Sequence, residues 1–108
     1  MKSKRTKATD ISKKVRDKVM ERDHHRCIIC GDNWNLQLAH IFVNRSHGGL
    51  GVEQNLAVLC QKHHMQLDNG SKEQQDHLKL TVTSYLKVKY GGIDVDKLKY
   101  SKWREIND

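Results

Sequence analysis

Two pairs of soft donors constrain this chain most: Cys27 and Cys30 in "CIIC", and Cys60 and His63 in "CQKH". Each pair has two residues between its members, and 29 residues separate the pairs. Three thiolates and an imidazole satisfy a tetrahedral Zn²⁺ in a closed structural site. The chain has 108 residues and 36% hydrophobic content, so folding buries only roughly 65% of its unfolded surface. Its core is small, and metal affinity in such domains is folding free energy. The competing possibility is a redox CxxC beside an ordinary buried Cys60. Redox pairs usually open a helix after a strand, whereas this one follows a basic helical stretch and precedes a turn. Three cysteines, an odd number, and no export signal argue against a disulfide framework.

Around these pairs the pattern is that of an α+β fold. "MKSKRTKATD", residues 1–10, has nothing larger than Ala or Thr to bury after Met1 and reads as a disordered basic arm, leaving 11–108 as one domain. Ser12 or Asp10 caps a helix over 12–23, with Val15, Val19 and Met20 inward and Lys13, Lys14, Arg16, Lys18 and Arg22 mostly outward. "CIICGDNW" has the form of a knuckle turn, its Gly allowing the backbone to fold back. "LQLAHIFV" and "NLAVLC" read as antiparallel strands joined by the Gly-rich "NRSHGGLG". From Gln61 the pattern turns helical until Asn69-Gly70. A packing helix follows, with Ser71 as N-cap, Leu78, Val82, Tyr85 and Leu86 inward, and Gly91 as its stop. Asp94 opens a last turn from which Ile93, Leu98 and Trp103 dock on the body.

Charge is concentrated at one end. Residues 1–26 carry 10 Lys and Arg against 4 Asp and Glu, or +6, while the other 82 carry 10 against 9, or +1. Such a field attracts nucleic acid through phosphate neutralisation and counterion release, although a solvated basic helix gives the same count. No apolar run approaches the ~18 residues of a membrane span, and no secretory segment opens the chain, so a cytoplasmic location is expected.

Five further residues have chemistry that their spacing alone leaves open. His64 and Asp68 are four apart, one turn on a helix. Their N and O donors suit Mg²⁺, Mn²⁺, Ni²⁺ or Zn²⁺, yet the same pair describes surface neighbours. His40 at a strand end is either a hydrogen-bonded structural residue or a base poised near neutral pH. Asn55 is either a turn residue or a tie between the Gly-rich loop and the hairpin. In that loop Arg45 is either a phosphate contact or an exposed cation.

Taken in order, "CIIC", "LQLAHI", "GGLGVEQNLAVLC" and "KHH" followed by "LDNG" resemble the HNH endonuclease family, especially its small phage and bacterial members. The resemblance covers residues 11–70, and its elements from Cys27 to His64 fall within 38 residues. It implies a ββα-metal finger (His-Me finger, motif core 27–70) with a structural zinc site, flanked by an N-terminal helix and a C-terminal packing helix. By resemblance His40 is the general base that activates water, Asn55 organises the loop, and His64 ligates a catalytic Mg²⁺, Mn²⁺ or Ni²⁺ with Asp68. Two positions depart from the family. Ala39 stands where many members have a coordinating Asp or His, and His63 stands where the knuckle usually ends in Cys.

The implied function is metal-dependent hydrolysis of DNA phosphodiesters, with Arg45, Lys13, Lys14, Lys18 and Arg22 on the nucleic acid. The alternative is a non-catalytic, zinc-containing nucleic-acid-binding module. A third possibility is an accessory role beside a phage packaging terminase.

Overall fold

A computed structural model describes residues 3–101 as a small α+β fold. Its elements in order are helix α1 (Lys4–Thr9), helix α2 (Lys13–Arg22), strand β1 (Leu36–His40), strand β2 (Leu56–Cys60), helix α3 (Gln61–Asn69) and helix α4 (Lys72–Tyr90), with short 3₁₀ turns between some of them. The strands form a two-stranded antiparallel sheet in the register Leu36 to Cys60, Leu38 to Val58 and His40 to Leu56.

Every residue of β2 is buried, because helices cover both of its faces. Leu56 and Val58 pack with Val19 of α2, while Ala57 and Leu59 pack with Val82 and Leu86 of α4. Period-two alternation thus sends successive residues of a continuous apolar run into two separate small cores. The same alternation acts on β1. Ala39 lies with Val82 and Leu86 in the α4-side core, whereas its neighbour His40 turns toward the N-terminal segment.

Local chemistry sets the helix ends. Ser12 caps α2 by accepting from the Val15 N–H. Ser71 and Gln74 form a reciprocal capping box at the start of α4, which Gly91 ends with φ +71°. Gly70 ends α3 as expected; it is extended, at φ −73°, and donates its N–H to the Gln66 carbonyl. Its room is still that of a glycine, since a Cβ there would collide with the Gln66 oxygen. Asp94 opens the last 3₁₀ turn, and Leu98 is buried. Trp103 lies outside the described residues.

Two expectations are corrected. Residues 1–10 are not wholly a disordered arm, since Ser3 caps the six-residue α1 and Thr9 is 4% exposed. The anchorage is tertiary: Gly51 donates its N–H to the Ala8 carbonyl at 3.0 Å, and a Cβ on Gly51 would strike the Asp10 carbonyl oxygen. A segment without large apolar side chains therefore docks through its backbone against a glycine.

Arg22, expected on the outward basic face, turns inward. Its side chain is 11% exposed and makes a two-pronged contact with the buried carboxylate of Asp23, at 2.7 and 2.8 Å. It also donates to the carbonyls of Glu53 and Leu56 and to the Tyr90 hydroxyl. The Tyr85 and Tyr90 rings lie 5.8 and 5.7 Å from its guanidinium carbon. Asp23 in turn accepts from the Val58 N–H and the Tyr85 hydroxyl. Burial and the bond to Asp23 push the Tyr85 pKa up to about 12.

Removing the Asp23 carboxylate leaves the guanidinium and the Val58 N–H buried without it. Asp23→Ala is therefore expected to cost about 3–5 kcal/mol, measured by urea denaturation with metal held constant.

Candidate metal cluster and adjoining cleft

The knuckle turn closes on itself. Cys27 N–H reaches the Asp32 carbonyl at 2.8 Å, and Gly31 N–H reaches the Cys27 carbonyl at 2.8 Å, with Gly31 at φ +79°. Ile28 N–H then binds the Val58 carbonyl at 3.1 Å, laying the turn alongside β2. Because α3 begins immediately after Cys60, His63 falls back within its first turn onto the thiols.

The result is one cluster of Cys27, Cys30, Cys60 and His63, whose ligand atoms all lie within 4.8 Å of one another. Cys30 Sγ is 3.8 Å from Cys60 Sγ, and His63 Nδ1 is 3.7 Å from Cys27 Sγ and 3.2 Å from Cys60 Sγ. A tetrahedral ion with metal–sulfur bonds of ~2.3 Å has sulfur–sulfur edges of about 3.8 Å. The cluster could hold a metal ion such as zinc. Burial works against the Cys27 thiolate, but the N–H groups of Cys60, Cys30 and Ile29 aimed at it bring its pKa below the ordinary thiol value.

The second histidine of the doublet faces elsewhere. His64 Nδ1 lies 2.6 Å from Gln37 Oε1 of β1. An amide oxygen only accepts, so Nδ1–H donates to Gln37, and Nε2 faces Asp68 Oδ2, 3.4 Å away. Gln37 was not singled out from the sequence. Its signal was the strand's alternation, which puts residue 37 on the same side as Ala39, but nothing in one sequence says that α3 crosses there.

His40 joins this pair across an open cleft of about 420 Å³ lined by Leu38, His40, Asn44, Arg45, Ser46, His64 and Asp68. His40 Nε2 meets the Thr9 carbonyl oxygen at 3.1 Å. By the same reasoning Nε2 is protonated and Nδ1 has the lone pair. Burial lowers the His40 pKa from its usual value, and the charges of Arg45 and His64 push the same way, against the opposing pull of Thr9.

The loop between the strands is held by Asn55, which is fully buried. Its Oδ1 accepts from Phe42 and Val43 N–H at 2.9 and 3.1 Å. Its Nδ2 donates to the carbonyls of Val43 and Leu50 at 3.0 and 3.1 Å. Asn55 thus ties the loop to the hairpin. A further glycine requirement sits in this loop, where a Cβ at Gly49 would collide with the Val43 carbonyl.

The expected nucleic-acid residues are scattered. Arg45 lines the cleft and pairs with Asp10. Lys13 is paired with Asp17 at 2.9 Å and Lys18 with Glu53 at 3.1 Å. Lys14 is exposed, and Arg22 is spent on Asp23. Ala39 lines no part of the cleft; it is 1% exposed in the core.

This is a small α+β protein with a Cys₃His cluster beside an open histidine-lined cleft. No family model, curated protein or solved structure matches the chain.

The two histidines are separable by experiment. His63→Ala should lower bound metal from about one ion per chain and reduce stability, whereas His64→Ala should retain it; elemental analysis of the purified variants reads this directly. Asn55→Ala strands two loop N–H groups and is expected to cost about 2–4 kcal/mol in denaturant unfolding.

Proposed function

We propose that this protein is a metal-dependent DNA endonuclease of HNH type, built on a ββα-metal finger with a structural Zn²⁺ at Cys27, Cys30, Cys60 and His63. The observation that carries the reading is the shared cleft. A half-buried histidine, fixed in one tautomer by Thr9, and a His64/Asp68 pair, fixed by Gln37, line the same opening.

His40 is the general base. With its Nε2–H committed to Thr9 and its pKa lowered, it is neutral at pH 7 and takes a proton from water through Nδ1. His64 Nε2 and Asp68 Oδ2 are the donors for a catalytic cation, and their 3.4 Å separation is compatible with adjacent positions on one ion. Mg²⁺, Mn²⁺ or Ni²⁺ held there would neutralise charge developing on the phosphate and its departing oxygen. Asn55 keeps the loop that bears Arg45 in place, and Arg45 offers a guanidinium to a neighbouring phosphate oxygen.

The alternative, a zinc-containing module that binds nucleic acid without cutting it, draws on Ala39. Buried in the core, that position gives the cation no third protein ligand. Plasmid nicking with each of the three ions separates the readings. The nuclease requires cleavage that falls by about 10²–10⁴ in His40→Ala while bound zinc is retained. Cleavage unchanged in that variant removes His40 as the base.

The pH dependence has a definite sign. A base must be deprotonated to act, so the rate rises with pH through the His40 pKa. Because burial lowers that pKa, single-turnover cleavage should pass half its maximal rate below pH ~6.5, the ordinary histidine value.

A further inference from the structure

We infer that Lys7, Arg16 and Arg45 form a second backbone-phosphate site for duplex DNA, in a groove between α1 and α2 that continues from the His40 cleft. The inference rests on the DNA reading above and extends it to a surface outside the reacting centre.

The groove, of about 470 Å³, is lined by Lys7, Asp10, Ile11, Ser12, Arg16 and Arg45. Arg45 also lines the cleft, so the two depressions are contiguous at that residue. Its lining holds three cations against one carboxylate, Asp10, which is paired with Arg45.

Neutralisation elsewhere gives this arrangement its weight. Of the N-terminal cations, Lys13, Lys18 and Arg22 are each matched by a carboxylate, and Arg5 is turned to the Ser46 carbonyl at 2.8 Å. Lys7 and Arg16 make no side-chain hydrogen bond or ion pair among the described residues, and both face the groove. Two N-terminal charges without a carboxylate partner thus lie in the groove beside Arg45.

The surface is also preformed. α1 is tied to the loop by Arg5 on Ser46 and by Gly51 on Ala8, and Thr9 is buried. Cations on tethered helices lose less freedom on binding than cations on a loose arm. Duplex DNA presents phosphates at regular intervals along each strand, so a contact beside the scissile phosphate fixes register without reading sequence.

The test measures binding of a fluorescein-labelled 20-base-pair duplex to zinc-loaded protein, without added divalent ion, across a salt series. The double variant Lys7→Gln, Arg16→Gln should weaken binding about tenfold. It should also reduce the slope of log affinity against log salt by about 2, at ~0.9 per phosphate contact. The charge-matched control Lys87→Gln, Lys97→Gln, on exposed residues outside groove and cleft, should change affinity less than twofold. Lys7→Arg with Arg16→Lys should restore wild-type binding.

Equal losses in test and control variants would reduce the groove to a general field effect and overturn the inference. So would no loss in the test variant, or no duplex binding by the wild type. The nuclease reading fails separately. Groove-dependent binding without cleavage removes the enzyme and leaves the groove, while cleavage with KM unchanged in Lys7→Gln, Arg16→Gln removes the groove and leaves the enzyme.

Discussion

The Arg22–Asp23 pair is the contact on which the rest of the arrangement depends. Two adjacent side chains at the end of α2 reach β2 through the Leu56 carbonyl and the Val58 N–H, the turn before β2 through the Glu53 carbonyl, and α4 through Tyr85 and Tyr90. Burial alone would disfavour the Arg22 charge, but hydrogen bonds to Asp23 and Tyr90 hold its pKa above the ordinary range. A hairpin of two strands is marginal by itself in water. Here a polar bolt joins the helices on its two faces, and the apolar contacts of Val19, Val82 and Leu86 close around it.

From that frame, three ties converge on the cleft, and each fixes a different part of it. The Cys₃His cluster joins the knuckle turn to the first turn of α3, which sets the direction in which His64 points. Asn55 holds the loop that bears Arg45 through four hydrogen bonds. The end of α1 supplies the carbonyl that fixes the His40 ring. The adjacent histidines 63 and 64 can serve two sites because one residue on a helix turns the side chain by about 100°. One faces the sulfurs and the other faces Gln37.

The N-terminal segment changes character most between sequence and structure. As composition it is a basic stretch with little to bury. In the fold it is a short helix whose carbonyls at Ala8 and Thr9 are used by Gly51 and His40, and whose Lys7 is presented beside Arg16 and Arg45. The charge count was correct as a count. Its surface meaning depended on which cations found a carboxylate, and the partners of Lys18 and Arg45 lie 35 residues away in each case.

The sequence by itself determined what depends on neighbours along the chain. The helix caps at Ser12 and Ser71, the alternating strands, the Gly31 turn and the paired ligand spacing all follow from local chemistry, and the four cluster residues could be named from spacing alone. Only the tertiary structure decided what depends on distant backbone: Gln37 under His64, Thr9 behind His40, Arg22 turned inward and Ala39 in the core. The partner of His40 is a backbone carbonyl, that of His64 a generic amide, and Arg22 beyond Asp23 and Tyr90 takes the carbonyls of Glu53 and Leu56, groups that nearly every residue carries. Such partners leave no mark in composition or periodicity, so their selection awaits the packing of α1, α2 and α3 around the hairpin.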